Sequence, residues 1–222
     1  MIKIRLKNFP RIVIMGPQGS GKGTQAELIA EKLGIPKITT GEIYRENIRR
    51  KTKLGAMAAR IINKGNLMSN EITNGIMTKE LKKPSVKGGY LVDGYPRNIV
   101  QAECLEKIAM PNFVIFLSAR IPVIIQRISK RRECGNCQTI YHLINRPPKK
   151  IGICDKCGSV LVQREDDKPA AIRRRLHIFR TQTKPLAERY KKMRIFHSYD
   201  GEKPIPFVQK QIFRDLIKER LI

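Results

Sequence analysis

Residues 16–24 read Gly-Pro-Gln-Gly-Ser-Gly-Lys-Gly-Thr, between the apolar run Ile12–Met15 and a helical pattern that begins at Gln25. A strand, a glycine-rich loop and a helix in this order are typical of a phosphate-binding loop, whereas a surface turn with an exposed lysine needs no such order. The glycines let backbone N–H groups turn towards an anion, Lys22 adds a positive charge, and the helix directs its positive end to the same point. The usual pattern has Ser or Thr directly after the lysine, but Gly23 stands there. The motif therefore predicts nucleotide binding, and Gly23 restricts the chain to a subfamily of the proteins that have this loop.

The pattern outside this loop predicts an α/β fold. Short apolar runs rich in β-branched or aromatic residues alternate with helical patterns, as parallel strands require. The predicted strands cover residues 11–15, 35–40, 90–92, 113–117 and 195–199. The predicted helices cover residues 22–33, 41–51, 55–63, 70–81, 99–107, 122–131, 169–193 and 207–221, with a kink or break at Pro185. We expect one doubly wound parallel five-stranded sheet flanked by helices, because 222 residues suffice for one core with insertions.

The chain is strongly basic. It has 45 Lys and Arg residues against 19 Asp and Glu residues, a formal net charge of +26. This charge exceeds what one or two nucleotides need and predicts non-specific association with RNA at low salt; compositional drift without a selected partner is the alternative. We see neither a secretory signal nor an apolar stretch that could span a bilayer, so we expect a cytoplasmic protein without a membrane partner.

Four of the five cysteines form two Cys-x-x-Cys pairs separated by sixteen residues: Cys134 with Cys137, and Cys154 with Cys157. This spacing predicts a zinc site in which four thiolates complete a closed tetrahedron, so that the metal is structural. Metal binding would stabilise a short segment that cannot build its own apolar core. A redox dithiol pair and four unrelated thiols are the alternatives, and iron in place of zinc stays open. Cys104 stands alone in a helical pattern and is expected to be a small core residue.

Several segments together, in the same order, resemble adenylate kinase, in the variant of that family whose lid carries a cysteine quartet. The resemblance extends over most of the chain. It rests on Gly16-Pro-Gln-Gly-Ser-Gly-Lys-Gly-Thr24, Thr39-Thr-Gly-Glu42, Asp93-Gly-Tyr-Pro-Arg97, Gln101, Arg127 with Arg131, the quartet, Arg164-Glu-Asp-Asp167, Arg175 and Asp200-Gly-Glu-Lys203. The resemblance implies reversible phosphoryl transfer from ATP to AMP, giving two ADP, by a monomeric enzyme.

The resemblance also implies two nucleotide sites. The residues implied for ATP are Gly19, Ser20, Gly21, Lys22, Gly23, Thr24, Arg127, Ile140, Tyr141 and Lys203. The residues implied for AMP are Thr40, Arg45, Asn66, Leu67, Met68, Gly94, Tyr95, Pro96, Arg97, Gln101, Arg164 and Arg175. Among the latter, Thr40 and Gln101 would read the adenine, and Arg45 and Arg97 would hold the phosphate.

Phosphoryl transfer demands little covalent chemistry from a protein, but the two polyanions must be aligned and the spreading charge met by cations. The residues expected to do this are Lys22, Arg97, Arg127, Arg131, Arg164 and Arg175, and Asp93 would hold Mg²⁺ through water. No general base is required, and the three histidines lie outside the motifs. At least one of the consecutive residues Arg173, Arg174 and Arg175 is expected to be solvated, with Arg175 taken as the functional one. Capping of the helix near Pro169 is the alternative role for Asp166 and Asp167.

The resemblance implies a division of the chain into three parts. Residues 1–38, 69–129 and 168–222 form the core; residues 39–68 form an acceptor insertion that binds the nucleoside monophosphate, and residues 130–167 form a zinc-binding lid segment. Two other functions stay open. One is a kinase for another nucleoside monophosphate, and the other is an RNA-associated protein that uses the phosphate loop and the zinc module as a scaffold.

Overall fold

The structure, a computed structural model, describes residues 8–222, so seven residues of the predicted core segment 1–38 lie outside it. The described residues form eight strands: β1 (Arg11–Met15), β2 (Lys37–Thr39), β3 (Tyr90–Asp93), β4 (Phe113–Ser118), β5 (Arg131–Cys134), β6 (Ile140–His142), β7 (Leu161–Val162) and β8 (Phe196–Asp200). They also form nine α-helices: α1 (Lys22–Leu33), α2 (Thr40–Arg49), α3 (Lys53–Ile62), α4 (Asn70–Leu81), α5 (Ile99–Ala109), α6 (Ile121–Ser129), α7 (Pro169–Ile178), α8 (Leu186–Lys192) and α9 (Ile205–Lys218).

The central sheet contains five parallel strands in the order β2-β3-β1-β4-β8. The central strand β1 is buried on both faces: Ile12 and Ile14 pack into one hydrophobic layer, and Val13 and Met15 pack into the other. β1 lies between β3 and β4, so the chain connections diverge on its two sides. In such a sheet, ligands bind in the crevice at the carboxyl ends of the strands beside this point. The predicted fold class is thereby confirmed.

Helices cover both faces of the sheet. Apolar residues of α1 and α9, including Ile29 and Ile212, fill the layer on one side. Residues of α4, α5 and α8, including Met77, Leu105 and Tyr190, fill the layer on the other. The side chains named here have no more than 1% of their surface exposed, which accounts for a large hydrophobic contribution to folding. None of the helices within residues 8–222 has the length and apolar character that crossing a membrane requires.

Two segments leave the sheet on the side of the strand carboxyl ends. The first contains α2 and α3, which pack around their own small cluster at Tyr44, Ala58 and Met68. The second contains β5, β6 and β7, an antiparallel sheet in the order β6-β5-β7. These segments fall within the residues predicted as the acceptor insertion and the lid segment, and both contribute to the site described below.

The structure corrects several predicted element boundaries. The helix predicted to end at Arg131 ends at Ser129, because Arg131 pairs with His142 in the antiparallel sheet. The helix predicted over residues 169–193 is broken, as Pro185 indicated, but the break starts earlier: a π-helical stretch, Phe179–Thr183, follows α7 before α8 begins. The helix predicted at 207–221 begins at Ile205 and ends at Lys218.

Candidate active site

The glycine-rich loop connects β1 to α1 and wraps the N-terminal end of that helix. Gly19 and Gly21 have φ angles of 76° and 98°, a left-handed conformation that residues with a Cβ rarely adopt. A Cβ at Gly16 would lie 2.2 Å from the backbone oxygen of Leu117, so the loop packs directly on the end of β4. No side chain caps α1 at Gly21, which leaves the first N–H groups of the helix available to an anion.

Lys22 lies at the centre of this loop and is half-buried. Its Nζ donates a hydrogen bond of 2.7 Å to the carbonyl oxygen of Pro17. Burial lowers the pKa of Lys22 to about 8; the carboxylate of Asp93 opposes this shift, and the nearby charge of Arg97 adds to it. The lysine is therefore a cation held in a strongly desolvating and largely positive environment, which favours the arrival of an anion.

One cavity of about 600 Å³ extends from the phosphate loop to α2 and to the lid segment. All ten residues predicted to contact ATP line this cavity, among them the loop residues 19–24 and Lys203. So do the seven residues predicted to act in catalysis, including Asp93 at the carboxyl end of β3. The structure thus brings together side chains from the core, the acceptor insertion and the lid segment.

Three arginines from the lid segment and α7 project into the cavity, and buried carboxylates hold each of them. Arg131 makes a two-point ion pair with Asp167, with Nε 2.8 Å from Oδ2. Arg175 contacts Asp166 and Asp167, at 2.8 and 3.3 Å. The helix-capping role predicted as the alternative for Asp166 and Asp167 is wrong, because no side chain caps α7. The two aspartates instead orient Arg131 and Arg175 in the cavity.

The third of these arginines, Arg164, makes a two-point ion pair with Glu133. The distances are 2.7 Å from Nε to Oε2 and 2.6 Å from Nη2 to Oε1. Glu133 also lies 3.4 Å from Nε of Arg45, which belongs to α2. Burial, and next the charge of Arg164, lower the pKa of Arg45, while the Glu133 carboxylate opposes that shift.

The acceptor end of the cavity is built on a turn after β3. Gly94, with φ of 81°, accepts hydrogen bonds at its backbone oxygen from Thr40 Oγ1 at 2.9 Å and from Arg97 Nε at 2.8 Å. The buried Gln101 accepts a bond from the backbone N–H of Arg97 at 2.8 Å and donates to Asn70. These bonds fix the position of Arg97 at the cavity wall.

Not every residue predicted for AMP reaches the cavity wall. Eight of the twelve do: Arg45, Leu67, Gly94, Tyr95, Pro96, Arg97, Arg164 and Arg175. The other four are Thr40, Asn66, Met68 and Gln101. Asn66 accepts a hydrogen bond from Arg174 Nε at 2.8 Å, and Met68 is buried in the cluster of the acceptor insertion. Direct contact of these four with AMP stays a prediction.

The opposite end of the cavity joins the phosphate loop to the turn after β8. Arg127 Nη1 donates to the backbone oxygens of Gly201, at 2.8 Å, and Gly19, at 3.3 Å. A Cβ at Gly201 would lie 2.3 Å from the backbone oxygen of Ser20, so the two backbones are in close contact there. Ile140 and Tyr141 of the lid segment also line the cavity.

Several residues that line the cavity were not expected from the sequence, among them His142 and Arg146. His142 lines the cavity, although it stands outside the motifs; its Nδ1 accepts backbone hydrogen bonds from Ile144 and Asn145, and burial lowers its pKa. His142 directly follows Ile140 and Tyr141, which were predicted to contact ATP, and this position could have indicated that it belongs to the site. Glu133, which holds Arg164, gave no signal except its place beside Cys134.

The cysteine quartet is assembled in the lid segment. The Sγ atoms of all four cysteines lie within 4.8 Å of one another, with 3.4 Å between Cys134 and Cys157 and 3.5 Å between Cys137 and Cys154. A tetrahedron of thiolates around one Zn²⁺ has sulfur separations of about 3.8 Å. The quartet can therefore hold a metal ion. Cys104 lies outside it, in α5, and is partly buried.

Comparison with known proteins agrees with this geometry. The family model described as Adenylate kinase matches residues 14–195. A protein named adenylate kinase from Caldanaerobacter subterraneus subsp. tengcongensis is 43% identical over 215 residues, 95% of this chain and 97% of the relative. The adenylate kinase of Archaeoglobus fulgidus is 40% identical over 206 residues, covering 90% and 95% of the two chains. That of Streptomyces coelicolor is 38% identical over 216 residues, covering 95% and 100%. With the phosphate loop, the arginines and the acceptor end on one cavity, this chain belongs to the adenylate kinase family and is a nucleoside monophosphate kinase.

Proposed function

We propose that this protein catalyses the reversible, Mg²⁺-dependent transfer of a phosphoryl group from ATP to AMP, giving two molecules of ADP. One observation supports this proposal above all: the phosphate loop and the arginines at the acceptor end line the same cavity, and Arg97 is close enough to Lys22 of the loop to affect its pKa. A phosphoryl group passing directly between two nucleotides needs this arrangement, because its donor and acceptor oxygens must be in line and close together.

ATP would bind at the loop end. The triphosphate would lie on Gly19–Thr24 and the N-terminus of α1, where backbone N–H groups and Lys22 meet it. Arg127 would contact the same nucleotide. Ile140 and Tyr141 would cover it from the lid segment, and Lys203 would meet the base through its main chain. These roles agree with the positions of the residues on the cavity wall.

AMP would bind at the opposite end, with its phosphate held by Arg45 and Arg97. Gly94, Tyr95, Pro96 and Leu67 line that end. Thr40 and Gln101 would select adenine, and Asn66 and Met68 would line the pocket once AMP is bound. In the structure, Thr40 and Gln101 bond to Gly94 and Arg97, so they can also act by holding the phosphate-binding arginine in place.

The transferred group would be surrounded by cations. Arg131, Arg164 and Arg175, together with Lys22, would meet the charge that spreads over its oxygens in the transition state. Arginine suits this position, because its planar fork binds two phosphate oxygens and keeps its proton. Closure of the lid segment, residues 130–167, over the acceptor insertion, residues 39–68, would exclude water and prevent hydrolysis of ATP.

Two metal ions have different places in this proposal. Asp93 offers a carboxylate to the cavity beside the phosphate loop, a hard oxygen donor of the kind that Mg²⁺ prefers, and it would hold this ion through water. When bound, Mg²⁺ neutralises part of the phosphate charge. The cysteine quartet would hold a structural Zn²⁺, because four thiolates leave no open position for a substrate. The separations of 3.4 and 3.5 Å between Sγ atoms suit that coordination.

A coupled assay with the purified protein tests the proposal. ADP should form from ATP only when AMP and Mg²⁺ are present, and AMP should be a better acceptor than UMP, CMP or GMP at equal concentration. Lys22→Met should lower kcat by about 10²–10³, the loss typical when one stabilising group is removed from a transition state, whereas the exposed Lys210→Met should not. Absence of AMP-dependent ADP formation would reject the function, and a preference for another monophosphate would reassign the acceptor.

A further inference from the structure

Glu133 is a buried carboxylate that the proposed reaction does not use directly. It lies in β5, with 6% of its surface exposed, directly before the cysteine ligand Cys134. Its two oxygens accept hydrogen bonds of 2.6 and 2.7 Å from Arg164, and one of them lies 3.4 Å from Nε of Arg45. Both arginines line the cavity at the end proposed for AMP. A single carboxylate thus contacts two arginines that come from different segments of the chain.

The atoms in these contacts leave the arginine available to a substrate. A guanidinium group presents two edges with paired N–H donors, one formed by Nε and Nη2 and the other by Nη1 and Nη2. Glu133 occupies the Nε edge of Arg164. The edge that includes Nη1 can still bind two oxygens of a phosphate. The carboxylate therefore fixes the plane of the guanidinium group without occupying the edge that a phosphate would use.

Glu133 also offsets a repulsion. Arg45 and Arg164 are both cationic and repel each other. A negative charge between them offsets this repulsion. When AMP is bound, its phosphate supplies negative charge on the substrate side. Glu133 supplies negative charge on the protein side, so that both arginines keep their positions before the acceptor arrives. This pre-organisation lowers the cost of binding.

Further contacts join the same two segments. Arg49 of α2 donates a hydrogen bond to the backbone oxygen of Asn136, and Gln138 Nε2 donates to Glu46 of α2 at 3.3 Å. Asn136 lies between the first two cysteines of the quartet, and Gln138 follows the second. Arg45, Glu46 and Arg49 thus bring one end of α2 against the first cysteine pair of the lid segment.

We propose that Glu133 is a positioning residue for the acceptor: it fixes Arg164 and Arg45 for the AMP phosphate and ties their positions to the cysteine module through the adjacent Cys134. This inference rests on the proposed function, because it assigns both arginines to the acceptor. It goes beyond that function by naming the carboxylate that holds the lid segment and the acceptor insertion in position relative to each other.

The test is a comparison of Glu133→Gln with wild type in steady-state kinetics with both substrates varied. The amide keeps the shape of the side chain but removes its charge and one acceptor oxygen. We expect the KM for AMP to rise about tenfold, equivalent to about 1.4 kcal/mol, while the KM for ATP changes by less than about twofold. Glu106→Gln is the matched control, because Glu106 makes a similar two-point pair with Arg189 outside the cavity. It should change neither KM.

The same protein samples should be analysed for metal content and thermal unfolding. Unchanged zinc content together with a selective rise in the KM for AMP supports the inference. Equal changes in both KM values, or loss of zinc, would overturn it in favour of a structural role. A lower KM for AMP would also overturn it, by showing that the carboxylate competes with the phosphate. If wild type forms no ADP from AMP, the proposed function fails instead, and that result is visible without any variant.

A double-mutant cycle tests whether Glu133 acts through Arg164. In an Arg164→Lys background, the lysine cannot make the two-point pair, so adding Glu133→Gln should raise the KM for AMP by less than about threefold more. Such non-additivity is expected if Glu133 acts through Arg164. A full tenfold further rise would show that Glu133 does not act through Arg164 and would overturn the role proposed for that pair.

Discussion

Asp167→Asn should strongly destabilise the protein. The side chain of Asp167 has no exposed surface, and its carboxylate contacts both Arg131 and Arg175. Removing one partner of a buried ion pair costs about 3–5 kcal/mol, because the other partner is left without its counter-charge. Since these arginines keep 17% and 18% of their side-chain surface exposed, solvent screens part of that cost. We therefore expect the lower end of the range, a loss of about 3 kcal/mol.

Urea unfolding followed by circular dichroism measures this loss, and thermal unfolding gives a second estimate. For a chain of this size, 1 kcal/mol corresponds to about 2–4 °C, so the Tm should fall by about 6–12 °C. Glu106→Gln, which breaks a pair whose arginine is more exposed, should cost no more than about 1 kcal/mol. A loss of less than about 1 kcal/mol for Asp167→Asn would refute the reasoning, because it would show that solvent or other groups compensate the two arginines.

Three further predictions follow from the site. Cys137→Ser should remove most of the bound metal, about one zinc ion per chain, while Cys104→Ser should retain it; equal zinc content in both would refute the assignment of the quartet. Bound phosphates should raise the pKa of Lys22 from about 8, so ATP binding above this pH takes up a proton. The affinity for ATP should therefore fall by up to about tenfold per pH unit above pH 8, as titration calorimetry would measure. Constant affinity from pH 7 to 9.5 would contradict this. Gly201→Ala should weaken ATP binding, because its Cβ would lie 2.3 Å from the Ser20 oxygen; Gly75→Ala, with open space in α4, should leave binding unchanged and stabilise the chain by about 0.5–1 kcal/mol. Equal ATP affinity in the two glycine variants would contradict the packing argument.

The central sheet could be predicted from the sequence because its three middle strands, β1, β3 and β4, are largely apolar. Parallel strands buried on both faces appear as continuous apolar runs, and Phe113–Leu117 is an example. The strands of the lid segment gave no such pattern. Residues 131–134 read Arg-Arg-Glu-Cys, and their pairing depends on partners that are distant in the sequence and on the cysteine module. Local pattern could not predict this sheet, because its stability comes from tertiary contacts.

The site could be predicted in outline from its motifs, since the loop glycines, Lys22 and the arginines all belong to recognisable segments. The carboxylates that orient those arginines could not be predicted in the same way. Glu133 and Arg164 stand 31 residues apart, and only the fold brings their side chains together. The sequence likewise gave no reason to expect that Thr40 bonds to the backbone of Gly94. Such pairings depend on distances between elements, which residue type and spacing do not determine.

The expectations drawn from composition stay predictions. The net charge of +26 still predicts non-specific association with RNA, which a steep fall of affinity with salt would reveal. The monomeric state and the cytoplasmic location are untested in the same way. None of these expectations bears on the arrangement of the cavity.

The central claim is that two adenine nucleotides bind in one cavity with their phosphates facing each other across Lys22. A crystal structure with a bisubstrate mimic, two adenosines joined through a chain of phosphates, tests it most directly. We predict that the phosphate chain lies between Lys22 and Arg97, with one adenosine near Lys203 and the other beside Gly94. A phosphate chain bound away from both cations, or two mimic molecules bound at separate ends, would contradict the account.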